Sequence, residues 1–133
     1  MENRLYPEDL KYSQTHEWVK VDKDIATVGI TDFATKQLTD LVYVEFPCLE
    51  GRVTKGSSFG AVESVKAVSD LCSPVSGKII KVNEKLSMQP EIINQDPYGE
   101  GWMIKVKIED QTELDTLMDS EEYEQFVNKE KEE

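Results

Sequence analysis

The chain has 133 residues, enough to bury one core and too few for two full domains. Lys and Arg number 15 against 27 Asp and Glu, and the net charge of −12 argues against binding to phosphate backbones or anionic lipid and favours basic proteins as partners. No run approaches about eighteen apolar residues and the N-terminus reads as neither signal nor transit peptide, so a soluble intracellular protein, in contact with neither nucleic acid nor membrane, is expected.

The first periodic segments are "HEWVKV" (16–21) and "IATVGI" (25–30), two strand-forming runs joined by the tight-turn sequence "VDKD". "TDFATKQLTD" follows, where Thr31 or Asp32 can cap a short helix, near 31–39, that carries Phe33, Ala34 and Leu38 on one face. Five further runs have strand composition: "LVYVEF" (41–46), "SSFGAVES" (57–64), "AVSDLCS" (67–73), "GKIIKVN" (77–83) and "GWMIKVKI" (101–108). "GRVTKGSS" (51–58) lacks the lysine of a phosphate loop and lies between strands, so it reads as a turn.

The texture changes after Lys107. Leu114, Leu117 and Met118, then Tyr123, Phe126 and Val127, stand at helical spacing, and the glutamates after Ser120 suit a new helix N-terminus. Residues 109–133 hold eleven carboxylates against Lys129 and Lys131, so most of the negative charge sits in this segment and the rest of the chain is near balance. The expectation is a single domain over 1–133, with an acidic helical segment at about 110–128 and a frayed tail at 129–133.

Little enzyme chemistry is available. His16 is the one histidine, its neighbours form no catalytic motif, and it reads as a strand-edge residue. Cys48 and Cys72 form neither a zinc motif nor a disulfide framework, and the carboxylates lack calcium-loop spacing. Lys66 stands out, because its ammonium interrupts a run containing Val62, Val65, Ala67, Val68 and Leu71. A lysine at a hairpin tip discourages edge-to-edge sheet pairing. Strands on both sides, Ala67 beside it, and Pro74 and Gly77 in the return also describe a turn that offers the amine to another enzyme. Both readings stand on the residues alone. Nothing adjacent in sequence would depress the amine's pKa as a nucleophile requires.

Six motifs in order, "LKYSQTHEWV" (10–19), "TVGITDFA" (27–34), "LVYVEFP" (41–47), "FGAVESVKAVSDLCSPVSGKIIKVNEKL" (59–86), "PEIINQDPYGEGWMIKVK" (90–107) and "LDTLMDSEEYEQF" (114–126), resemble the H proteins of the glycine cleavage system. That resemblance covers about Leu10 to Phe126. It implies a mainly β fold, a flattened barrel-sandwich hybrid like that of lipoyl domains, with the short helix near 31–39 and C-terminal helices. It also implies lipoic acid in amide linkage on Lys66, within an attachment motif that includes Glu63, Val65 and Ala67. Val65 and Ala67 take the places where biotin carriers have methionine.

By the same resemblance the protein is a non-catalytic carrier. The arm would accept an aminomethyl group at a pyridoxal-phosphate glycine decarboxylase and pass its methylene to tetrahydrofolate at an aminomethyltransferase. A flavin-dependent dihydrolipoyl dehydrogenase would reoxidise it, and a lipoyl-attaching ligase or transferase would install it. Glu17 and Asp70 are expected to wall a cleft for the folded-back arm, where carboxylates suit a protonated aminomethyl nitrogen. The alternatives are a lipoyl or octanoyl donor for 2-oxoacid dehydrogenase subunits, and an unmodified interaction module. The compartment would be the cytoplasm of a bacterium, or the mitochondrial matrix for a processed organellar chain. The departures from the family pattern are Phe33 and Gln37, where some relatives carry histidine, Thr39, where glycine is usual, and Cys48, where a charged or polar residue is common.

Overall fold

Period-two runs become strands and the pairing of distant runs makes the sheets. The computed structural model describes residues 6–46 and 51–132, so the expectations for Cys48 lie outside the described residues. In chain order the elements are β1 (Lys11–Tyr12), β2 (Glu17–Asp22), β3 (Ile25–Ile30), α1 (Asp32–Leu38), β4 (Leu41–Glu45), β5 (Arg52–Val53), β6 (Ser58–Ser64) and β7 (Val68–Cys72). They are followed by β8 (Gly77–Val82), α2 (Lys85–Met88), α3 (Glu91–Gln95), β9 (Ile104–Ile108), a 3₁₀ helix (Gln111–Thr116) and α4 (Ser120–Glu132).

The strands form two antiparallel sheets and no closed barrel among the described residues. One has the order β1-β2-β3-β9-β8-β5 and the other the order β4-β6-β7. β2 and β3 make the expected hairpin, Glu17 opposite Ile30 and Asp22 opposite Ile25, with Lys23 at φ 60° in the turn. The core lies between the sheets, where Val19, Val28, Ile79, Ile104 and Val106 of the larger meet Val44, Val62 and Leu71 of the smaller. Each such side chain contributes roughly 1.5–3 kcal/mol by leaving water. Leu86 of α2 and Ile93 of α3 are fully buried in the same cluster.

A second cluster joins the segment from Tyr6 to Trp18 with α4. Tyr6, Leu10, Tyr12, Trp18, Phe33, Tyr123 and Val127 are buried together, with the Tyr12 and Tyr123 rings stacked at 4.7 Å. Trp18 packs on Gly29 directly across the β2–β3 pair; a Cβ at position 29 would lie 2.7 Å from the indole, so the contact requires glycine. His16 is no strand-edge residue: it precedes β2 at φ 72°, its Nδ1 2.7 Å from the Tyr123 hydroxyl and its Nε2 3.2 Å from Glu130. Burial lowers its pKa while the Glu130 carboxylate opposes that shift. Its role is to hold α4 against the sheet.

The C-terminal segment differs from expectation in detail. A 3₁₀ helix replaces an α-helix over 111–116, and α4 is capped by Asp119 rather than Ser120. The Asp119 carboxylate accepts from Glu122 N at 2.8 Å, while the Glu122 carboxylate accepts from Asp119 N at 3.0 Å, a reciprocal capping box. Helical backbone continues through Glu132, past the expected end at 128.

α1 is capped at its start by Thr31, whose hydroxyl accepts from Ala34 N, and at its end by Thr39 with φ 65° and ψ −149°, a conformation that glycine alone adopts freely. The strain of such a residue is about 1–3 kcal/mol, and glycine's extra freedom in the unfolded chain offsets part of the relief. Thr39→Gly is therefore expected to stabilise the protein by about 1 kcal/mol, read as a higher urea midpoint. An unchanged or lower midpoint would contradict the strain assigned here.

Candidate modification site

β6 and β7 pair with Glu63 opposite Val68, leaving Val65, Lys66 and Ala67 as the exposed tip of the hairpin. Ser64, 6% exposed, organises the tip: its Oγ accepts from Lys66 N at 3.2 Å and from Ala67 N at 2.9 Å, and its own N–H donates to Ala67 O at 2.7 Å. A serine hydroxyl closing its own turn is the side-chain device that holds such loops. The tip is also tied to the chain between α1 and β4. Val65 N donates to Asp40 O at 3.2 Å, and the Lys66 ammonium donates to Gln37 O at 3.1 Å. Asn94 of α3 braces that chain, donating to Thr39 O at 2.8 Å and accepting from Leu41 N at 3.0 Å.

The lysine is thus exposed on a hydrogen-bonded base. Among the described residues its ammonium bonds only a backbone carbonyl and no side chain that could act as a base, so the site suits acylation by another enzyme rather than catalysis by the amine. Among the described residues no group of three or more His, Cys, Asp or Glu could hold a metal ion, and no helix is long and apolar enough to cross a membrane.

Of the residues expected around Lys66, Val65 and Ala67 lie at the tip and Glu63 is exposed on β6, next to it. Glu17 and Asp70 are brought together around Cys72. The Cys72 N–H donates to Glu17 Oε2 at 3.2 Å, and burial, then the carboxylates of Glu17 and Asp70, push the Cys72 thiol up. Alternation places Val68, Asp70 and Cys72 on one face of β7, a run of roughly 13 Å leading from the lysine hairpin to Glu17.

Asp70 is exposed, but Glu17 is 2% exposed. The Ser13 and Thr15 hydroxyls both donate to Glu17 Oε1, the former at 2.8 Å. Burial nevertheless raises the Glu17 carboxyl from an ordinary 4.5 to about 7, against the lowering effect of those hydrogen bonds. With the folded pKa above the unfolded one, the stability this group contributes is full below about pH 4.5 and is lost as pH rises through about 7. The loss amounts to roughly 3 kcal/mol. Glu17→Gln keeps the shape, and the two hydroxyls can turn to accept from its amide. The variant is expected to match wild type near pH 4 and to exceed it by up to about 3 kcal/mol above pH 8, measured by urea unfolding at both values. A gap that does not widen with pH would show that Glu17 is not the titrating group.

Sequence reasoning missed Ser64 and Asn94. Ser64 lies inside the 59–86 motif, and only the hairpin geometry gives its hydroxyl a function. Asn94 lies on a one-turn helix with no periodic signal.

Two antiparallel sheets that present a single lysine on a stiff hairpin define a small carrier-type β domain. The family model for the glycine cleavage H-protein matches residues 10–130. The glycine cleavage system H protein of Carboxydothermus hydrogenoformans is 54% identical over 126 residues, covering 95% of this chain and 97% of that one. Glycine cleavage system H protein 2, mitochondrial, of Arabidopsis thaliana is 54% identical over 122 residues, covering 92% and 78%. A crystal structure of a glycine cleavage system H protein from Mycobacterium marinum superposes with a TM-score of 0.82 at 38% identity, covering 88% of this chain and 94% of that one. The chain belongs to the glycine cleavage H-protein family.

Proposed function

We propose that the protein is the lipoyl-lysine carrier of a glycine cleavage system, with Lys66 as the attachment residue. The observation that supports this most directly is the tip itself, an exposed lysine on a base fixed by Ser64 and Asp40. Acylation removes the ammonium charge, which makes the side chain a long, largely apolar arm. A lipoyl group there supplies reversible dithiol–disulfide chemistry, and the reactions themselves belong to the partner enzymes.

The partners on this reading are a pyridoxal-phosphate glycine decarboxylase, an aminomethyltransferase using tetrahydrofolate, a flavin-dependent dihydrolipoyl dehydrogenase and a lipoyl-attaching enzyme. The chain's own contribution is presentation and shelter. Asp70 and Glu17 flank the far end of the β7 face, where negative charge favours an amine and disfavours a thiolate. Cys72, kept as a thiol by its burial and then by those carboxylates, makes a poor competitor for disulfide exchange with the arm. Glu17, with its pKa about 7, can carry or release a proton at neutral pH.

The test is the intact mass of protein made in lipoate-replete cells, with peptide mapping of any increment. A lipoyl increment on Lys66 supports the carrier reading. A wholly unmodified Lys66 shifts the assignment to an unmodified interaction module.

A further inference from the structure

The smaller sheet carries a pattern that the carrier role does not require. β4, β6 and β7 contain no lysine or arginine, yet they contain Glu45, Glu63 and Asp70. Cross-strand register sets Tyr43, Glu63 and Val68 in one row and Glu45, Ala61 and Asp70 in the next. Tyr43, Glu45, Ala61, Glu63 and Val68 line a shallow hollow of about 190 Å³.

A β-bulge enriches this face. The β4–β6 register shifts between Leu41 and Tyr43, so Val42 and Tyr43 are both turned to solvent, 51% and 53% exposed, while Leu41 and Val44 enter the core. Val65 and Val68 are 71% and 67% exposed, so four of the six large exposed hydrophobics among the described residues lie around Lys66. Such clustering marks an interaction surface rather than scattered surface residues.

We infer that this face, centred on the Val42–Tyr43 bulge, docks the enzyme that acylates Lys66, which meets it with an apolar centre and a rim of Lys or Arg. The inference rests on the carrier reading above. An apolar middle bordered by three carboxylates, with the reacting Lys66 as the one cation on these strands and their hairpin, fits a basic rim by charge. Reach favours the attaching enzyme over those that use the finished arm. Before acylation the amine extends only the length of a lysine, and the reacting group must come to within about 3 Å of Nζ. Nζ leans toward Gln37 O, and the chain from Gln37 leads through Asp40 into β4, where Leu41 pairs with Ser64. An enzyme at Nζ therefore abuts Val42 and Tyr43. The enzymes that meet the loaded protein do so through a longer arm and are freed from that constraint.

The experiment uses the full-length unmodified protein, a lipoate ligase, lipoate and ATP, with acylation of Lys66 followed by intact mass. The Val42→Ser/Tyr43→Ser and Glu45→Lys variants change exposed side chains and are expected to melt with wild type. The double variant is expected to lose about tenfold in kcat/KM for acylation, mainly through KM, the effect of an interfacial hot spot. Glu45→Lys is expected to lose about threefold or more by charge reversal against a basic rim. Driven to full acylation, both should support glycine-dependent turnover within about twofold of wild type. Acylation within twofold of wild type overturns the inference, as does a loss of turnover in the loaded variants equal to the loss in acylation. A wild-type protein that is not acylated at all would instead remove the carrier reading, and the inference with it.

Discussion

Lys66→Arg is expected to yield a protein that folds as wild type does, carries no acyl group and supports no glycine-dependent turnover. The substitution keeps the charge, length and exposure of the side chain, and surface changes of this kind alter stability by no more than about 0.5 kcal/mol. It removes the chemistry, because a guanidinium stays protonated throughout the accessible pH range and does not act as the amine in amide formation. The other lysines stand on other strands, helices and turns, and none has the hairpin base that Ser64 and Asp40 provide. Intact mass and turnover of the reconstituted system, read beside a thermal melt, form the measurement. Retained turnover would mean that Lys66 is not the attachment residue, whereas a depressed melting temperature would show that the Gln37 carbonyl depends on lysine in particular.

Trp18→Ala is expected to cost about 3–5 kcal/mol, a large share of the 5–15 kcal/mol that separates a folded domain from its unfolded chain. Trp18 is 2% exposed, covers Gly29 and donates from Nε1 to Pro97 O at 2.9 Å. Truncation leaves a cavity at the centre of the second cluster and a buried carbonyl without its donor. Its neighbours cannot close the gap, because Gly29 has no side chain and Tyr98 is engaged with Asp32 N at 2.9 Å. Urea unfolding gives the loss directly. A loss under about 1 kcal/mol would show that the cluster relaxes around the cavity.

The strands that carry the core were legible because β-branched and aromatic residues recur there with a period of two, and Lys66 was legible as a charge that such a strand cannot hide. β1 and β5 were not, since each pairs over two residues and leaves no periodic trace. α2 and α3 are single turns of four and five residues, too short to show an amphipathic stripe. The division into two sheets was no more local: "GWMIKVKI" yields strand only from Ile104, and it pairs with runs that are remote in the chain. Glu17 was legible as an acid near the site, but its burial depends on Ser13, Thr15 and an amide of β7 fifty-five residues away. The β4 bulge needed the register itself, since "LVYVE" read as a strand alternates without it.

The place of β9 in the larger sheet governs when the protein can fold. β9 lies between β3 and β8, pairing Val28 with Ile104 on one side and Val82 with Ile104 on the other. A growing chain that has not yet delivered residues 104–108 holds β3 and β8 with unpaired edges and no route to join them. The β4-β6-β7 sheet is contiguous but for β5 and can pair earlier, so the lysine hairpin can form before the body that supports it. Folding thus waits for the strand that follows every other one in chain order among the described residues, and fragments ending before Ile104 expose two apolar strand edges that favour aggregation over a stable partial fold.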